Sequence, residues 1–120
     1  MDIEIKEKRT DVKSRLETVD EVIASMPARF QPDACRRIKA SYHWKISGKD
    51  PKQFTILVND GTFEIRYGEH EGSDVIMDTD SDTYLGLVNG KTKGIIAIMT
   101  RKLRVRGSMI LASKMDKIFV

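Results

Sequence analysis

The sequence predicts an α+β domain of five strands flanked by helices, whose last third either simply fills the core or walls an apolar pocket closed by the last helix. Three observations carry this. Apolar residues recur at every second position from Ala40 to Tyr67, the period of strands. They recur at helical spacing on either side of that stretch, over Val19 to Phe30 and over Met109 to Phe119. The last third, Asp82 to Phe119, also carries more apolar groups than one packed face needs: Tyr84, Leu85, Leu87, Val88, Ile95, Ile96, Ile98 and Met99, then Met109, Ile110, Leu111, Met115, Ile118 and Phe119.

Residues 1–17 are almost evenly charged and form an N-terminal extension, read as a loose outer helix. The domain proper spans 18–120, with no linker or repeat inside it. Thr18 and Glu21 have capping-box spacing. Val19, Val22, Ile23, Met26 and Phe30 then make one apolar face, which Pro27 is expected to tighten or end. Pro32-Asp33 suits a short second turn. In the first strand Ala40, Tyr42, Trp44 and Ile46 face one way, and Ser41, His43, Lys45 and Ser47 the other. Phe54, Ile56 and Val58 form the second strand. Asn59-Asp60-Gly61 is a hairpin signal, because these residues tolerate positive φ. Phe63, Ile65 and Tyr67 complete a three-strand antiparallel meander. Asp74 to Thr79 is a fourth strand. Asp80-Ser81 offers N-cap chemistry for a helix through Val88, and Asn89-Gly90 a left-handed stop. Lys93 to Thr100 fits either a β-rich strand or a short helix. Leu103 and Val105 alternate with Lys102, Arg104 and Arg106 in a fifth strand broken by Gly107, and Met109 to Phe119 closes the chain as a helix.

A chain of 120 residues, 40% hydrophobic and 32% charged, fits one globular domain with one modest core. The single cysteine, Cys35, rules out an internal disulfide and a multi-cysteine zinc site. The charged N-terminus is no signal peptide, no apolar run nears the ~20 residues that span a bilayer, and the ending Lys-Ile-Phe-Val is no peroxisomal address. The expected location is the cytoplasm. The net charge of +3 is unevenly spread. Glu69 to Asp82 holds six acidic residues and no Lys or Arg, whereas Lys91 to Val120 holds eight basic residues against Asp116 alone. Such a basic segment suits an anionic partner, and equally a solvated face paired with the acidic stretch.

Ordered strings along the chain resemble the sterol carrier protein family, type two. They are Val19-Asp20-Glu21-Val22-Ile23 leading to Met26-Pro27, Pro32-Asp33-Ala34, Asn59-Asp60-Gly61, and Asp74-Val75-Ile76 before Asp80-Ser81-Asp82. The most specific are Leu87-Val88-Asn89-Gly90-Lys91 and Lys102-Leu103-Arg104-Val105-Arg106-Gly107-Ser108-Met109. The resemblance covers about residues 18 to 119. It implies a mixed, largely antiparallel sheet with a hydrophobic tunnel beneath its helices, which binds sterols, fatty acyl chains or other lipids without covalent chemistry. One departure is Arg101, where the family usually has Gly before Lys-Leu.

The expected tunnel lining is Ile23, Met26, Leu85, Val88, Ile95, Met99, Met109, Ala112 and Met115. Methionine suits it because an unbranched thioether adapts to different ligands. Arg101, Lys102, Arg104 and Arg106 are expected to dock on a transient anionic membrane surface, or else to protect an edge strand by charge. No catalytic residue, cofactor or metal is expected. Asp78-x-Asp80-x-Asp82 opens like a calcium loop, but Thr83 stands where Gly is needed and Asn89 where a bidentate Glu should close it. His43 and His70 lack ligand spacing. The leading expectation is a lipid ligand held and transferred. The alternatives are a lipid-presenting accessory to a partner enzyme and a basic nucleic-acid-binding module. The last is disfavoured by the scarcity of aromatics for base stacking, and no nucleic-acid partner is expected.

Overall fold

A computed structural model describes residues 16–120, so the expected helix over 1–17 lies, apart from Leu16 and Glu17, outside the described residues. Five strands form one sheet: β1 (Lys39–Ser47), β2 (Lys52–Asn59), β3 (Thr62–Tyr67), β4 (Val75–Asp80) and β5 (Leu103–Gly107), in the order β3-β2-β1-β4-β5. Only β1 and β4 pair in parallel; the other three pairings are antiparallel. The β2–β3 hairpin turns on Asp60 and Gly61, both at positive φ (44° and 80°), as its two-residue loop requires.

Among the described residues four α-helices accompany the sheet: α1 (Val19–Arg29), α2 (Ser81–Val88), α3 (Gly94–Met99) and α4 (Met109–Ile118), with a 3-10 turn at Pro32–Cys35. The start of α1 is a complete capping box. Thr18 Oγ1 accepts from the Glu21 amide at 3.0 Å, and Glu21 Oε1 accepts from the Thr18 amide at 3.1 Å. Its buried stripe is Val19, Val22, Ile23 and Met26. Pro27 does not end the helix, which continues to Arg29. The proline sits in the last turn on the exposed side, where losing one backbone hydrogen bond is tolerated.

Alternation sorts the sheet's two faces. Tyr42, Trp44, Phe54, Ile56, Val75 and Met77 point into the core under the helices. Tyr84 from α2 packs edge-on against Trp44, with ring centroids 4.8 Å apart. At the far end Phe30, Phe63 and Phe119 form an aromatic cluster with centroids 4.5 to 5.5 Å apart. The C-terminal residues are laced to the end of α1 there: the Gln31 amide donates to the Ile118 carbonyl at 2.7 Å, and the Val120 amide to the Arg29 carbonyl at 3.1 Å. The last helix therefore closes the core where sequence spacing placed it.

The ambiguous stretch Lys93 to Thr100 resolves as helix α3 with only Ala97 buried. The opposite sheet face is not plainly solvated. His43 is 3% exposed and Thr55 fully buried; they stand opposite each other on β1 and β2. Burial holds the His43 imidazole below the ordinary histidine range, and Lys45 pushes it the same way.

Candidate lipid site

The nine residues expected to line a tunnel fall into three groups. Ile23 and Met26 lie on the buried stripe of α1. Leu85 and Val88 on α2, and Ala112 and Met115 on α4, are half-buried, one side against the core and the other open. Leu87, Ile98, Val105 and Leu111 share that state. Ile95, Met99 and Met109 are exposed. Helical geometry explains the third group. At about 100° per residue, Ile95, Ile96 and Met99 share one arc of α3, and Ala97 lies opposite them. Five apolar residues in six cannot all face inward.

Beneath α2, Tyr84 is buried against Trp44 and Phe54, and burial raises its phenol above the usual tyrosine range. Arg29, at the end of the α1 stripe, is half-buried. Its Nε donates to Ser25 Oγ at 2.9 Å, and among the described residues no carboxylate pairs with it. Burial lowers its pKa, with Tyr84 opposing. Tyr42, under α4, donates its hydroxyl to the Leu111 carbonyl at 2.8 Å.

Two recesses lie elsewhere. One of about 500 Å³ is of mixed character, bounded by the apolar Leu57, Val58 and Phe63 as well as by Lys39, Glu64, His70 and Asp74. The second, about 420 Å³, is bounded by Ser47, Asp78, Asp80, Arg101, Lys102 and Arg104 with Thr79. None of the nine expected lining residues borders either recess. Among the described residues no group of three or more His, Cys, Asp or Glu is placed to hold a metal ion, and no helix is long and apolar enough to cross a membrane.

Of the four cations expected to dock together, Arg101, Lys102 and Arg104 border one recess, and Arg106 lies next along the sheet face that carries Arg104. Arg104 and Arg106 alternate with the inward-facing Leu103 and Val105, so they project from the sheet face away from the core. There Arg104 stands opposite Asp78, and Arg106 Nη2 reaches Asp78 Oδ2 at 3.3 Å. Arg101 and Lys102 occupy the turn between α3 and β5. The acidic stretch is thus partly spent on structure. Asp78 faces the β5 arginines, Asp80 caps α2 by accepting from the Thr83 amide at 2.7 Å, and Asp74 accepts from the Ser41 amide at 2.9 Å. Asn89 is more than a helix stop. Its side-chain amide forms two hydrogen bonds with the Leu16 backbone, at 3.0 and 2.8 Å, tying the chain before α1 to the end of α2. No spacing signal foretells such a pair 73 residues apart.

Comparison with known proteins decides the kinship. The SCP-2 sterol transfer family matches residues 19–120. The chain belongs to that family. Among curated relatives it is 30% identical over 118 residues to the hydroxysteroid dehydrogenase-like protein 2 of Bos taurus, and 28% identical over 118 residues to that of Homo sapiens. Each alignment covers 96% of this chain but only 28% of the relative. The chain therefore spans little more than a quarter of the length of these relatives. Among solved structures, the sec-alkylsulfatase Pisa1 from Pseudomonas sp. superposes with a TM-score of 0.76 at 14% identity, covering 86% of this chain and 16% of the other. Palmitated SCP2L2 from Aedes aegypti superposes with a TM-score of 0.70 at 17% identity, covering 85% and 94%. At these identities the likeness speaks for the fold: a five-stranded mixed sheet with helices, as in sterol carrier domains. Lipid binding and transfer are the family's province.

Proposed function

We propose that this sterol carrier domain binds one long-chain lipid, fatty acyl, isoprenoid or sterol-like, without catalysis. The ligand lies against the helix-covered face of the sheet and is exchanged with an anionic membrane surface. The observation that carries the reading is the set of half-buried apolar side chains packed against the core from two helices, Leu85 and Val88 from α2 and Ala112 and Met115 from α4. Each presents apolar surface that the described residues leave uncovered. A lipid methylene laid there gains roughly 0.8 kcal/mol, so a long acyl chain repays its ordering cost without any covalent step. Ile95, Met99 and Met109 extend the same apolar character to the rim. The palmitate named for the Aedes aegypti protein is an acyl ligand on the same fold. Organic extracts of the native protein, analysed by mass spectrometry, should contain a lipid in near-stoichiometric amount, and a fluorescent fatty acid should compete for its place. Protein that carries no lipid and takes up neither a fatty acid nor a sterol probe overturns the proposal.

A second reading, lipid presentation to a partner enzyme, is favoured by the length comparison. Relatives named as dehydrogenase-like proteins and a sulfatase each contain this fold as a small part of a longer chain. Transfer of lipid between vesicles by the isolated chain supports the first reading. An enzyme that co-purifies with the chain, and needs it to act on an insoluble substrate, supports the second.

A further inference from the structure

Helix α3 exposes three large aliphatic side chains on one arc: Ile95 at 62%, Ile96 at 49% and Met99 at 71%. Isolated exposed apolar residues need no explanation, but three together on six residues of helix do. Around them the charge is of one sign. Lys91 and Lys93 precede the helix and Arg101 and Lys102 follow it; all four are exposed, and none forms an ion pair among the described residues. From Thr83 to Met115 the sequence contains no Asp or Glu at all.

We infer that α3 is the membrane-contacting tip of the domain. Ile95, Ile96 and Met99 enter the acyl boundary of an anionic bilayer, while Lys91, Lys93, Arg101 and Lys102 lie at headgroup level. Aliphatic side chains on one arc with cations on the flanks are what an interfacial element needs, because apolar burial holds it in place and anionic lipid attracts the rim. A second copy of the chain is a poorer occupant. Face-to-face pairing would bring two cationic rims together with no acid on this segment to offset them. Arg104 borders a recess with Arg101 and Lys102, but Arg104 and Arg106 stand beside Asp78, whose carboxylate offsets their charge, so they add little to the contact. The inference deepens the lipid-binding proposal and rests on it for purpose: a lipid enters or leaves where the domain touches the bilayer.

Co-sedimentation with phosphatidylcholine vesicles, with and without phosphatidylserine, tests it, with uptake of a fluorescent fatty acid from solution measured separately on the same preparations. Wild type should bind the phosphatidylserine vesicles and release them at high salt. Ile95→Ser/Met99→Ser should lose binding at least about tenfold, at unchanged circular dichroism and thermal midpoint, because both side chains are solvent-exposed. Lys91→Gln/Lys93→Gln should weaken binding to anionic vesicles by roughly fivefold per charge. Arg104→Gln/Arg106→Gln should bind like wild type. The inference is overturned if Ile95→Ser/Met99→Ser binds vesicles normally, if the Arg104/Arg106 variant loses as much as the lysine variant, or if the exposed apolar arc instead supports a dimer that Ile95→Ser/Met99→Ser dissociates. Fatty acid uptake without vesicle binding overturns this inference alone; vesicle binding without uptake overturns the lipid-binding proposal and leaves the docking tip standing.

Discussion

The Tyr42 hydroxyl, rooted in the central strand, donates a 2.8 Å hydrogen bond to the carbonyl of Leu111 in the closing helix α4. Tyr42 is fully buried, and its hydroxyl couples the middle of the sheet to the first turn of α4. Tyr42→Phe keeps the ring and removes the hydroxyl. Denaturant unfolding should show a loss of about 1 kcal/mol, the usual net worth of one buried hydrogen bond. Amide exchange should rise selectively over α4. A uniform rise across the sheet, with α4 unchanged, would contradict the coupling.

The same residue predicts an alkaline limit. Burial pushes the Tyr42 phenol up to about 12, with nearby Asp74 and Cys35 adding to it, against about 10 in an unfolded chain. A raised folded-state pKa means the folded state keeps the proton that the unfolded state releases. Stability is therefore fully present below pH 10 and is lost as pH climbs from 10 towards 12. Tyr84 shifts in the same direction, also through burial. Unfolding free energy measured from pH 8 to 11.5 should be level and then fall, and Tyr42→Phe should flatten part of the fall.

Helices α2 and α3 end in the same hydrogen-bond pattern on different residues. In α2 the Lys91 amide bonds the Gly86 carbonyl and the Gly90 amide that of Leu87; in α3 the Lys102 amide bonds Ala97 and the Arg101 amide bonds Ile98. This is the Schellman ending, whose pivot residue must be left-handed. Gly90 takes it at φ 76° and Arg101 at φ 62°. A side chain at such a position costs about 1 kcal/mol. Arg101→Gly should therefore raise stability by up to about 1 kcal/mol, and Gly90→Ala should lower it by a similar amount. Thermal midpoints moving in opposite directions are the expected result.

Much of this architecture is legible in the sequence. The meander declared itself because Tyr42, Trp44 and Ile46 alternate with polar neighbours, and the caps because Thr18 and Asp80 stand where free amides need an acceptor. Other features had no local signature. The parallel pairing of β1 with β4 joins Tyr42 to Val75 across a hairpin and a loop, and only the family resemblance implied a mixed sheet. The run Ile95 to Met99 hid which face is out, because consecutive apolar residues carry no phase. The four cations Arg101, Lys102, Arg104 and Arg106 look like one patch along the chain, but nothing local shows that Asp78, from a strand paired alongside, faces Arg104 and Arg106. His43 shares its strand face with the polar Ser41 and Lys45, and nothing in that spacing marks it as buried.

The lipid site is tested most directly at Ala112, on the half-buried side of α4. If the space before it is filled by packed side chains, Ala112→Phe overpacks the domain and costs about 1–3 kcal/mol. If that space receives a ligand, the added ring occupies it instead. Ala112→Phe should then hold its thermal midpoint in lipid-free protein while uptake of a fluorescent fatty acid falls by about tenfold, equivalent to about 1.4 kcal/mol. Ile118, six residues on in the same helix, is fully buried and supplies the contrast. Ile118→Ala should lose about 2–5 kcal/mol of stability, and uptake measured well below its melting temperature should change little. A large stability loss at Ala112 with unaltered uptake would place the ligand elsewhere.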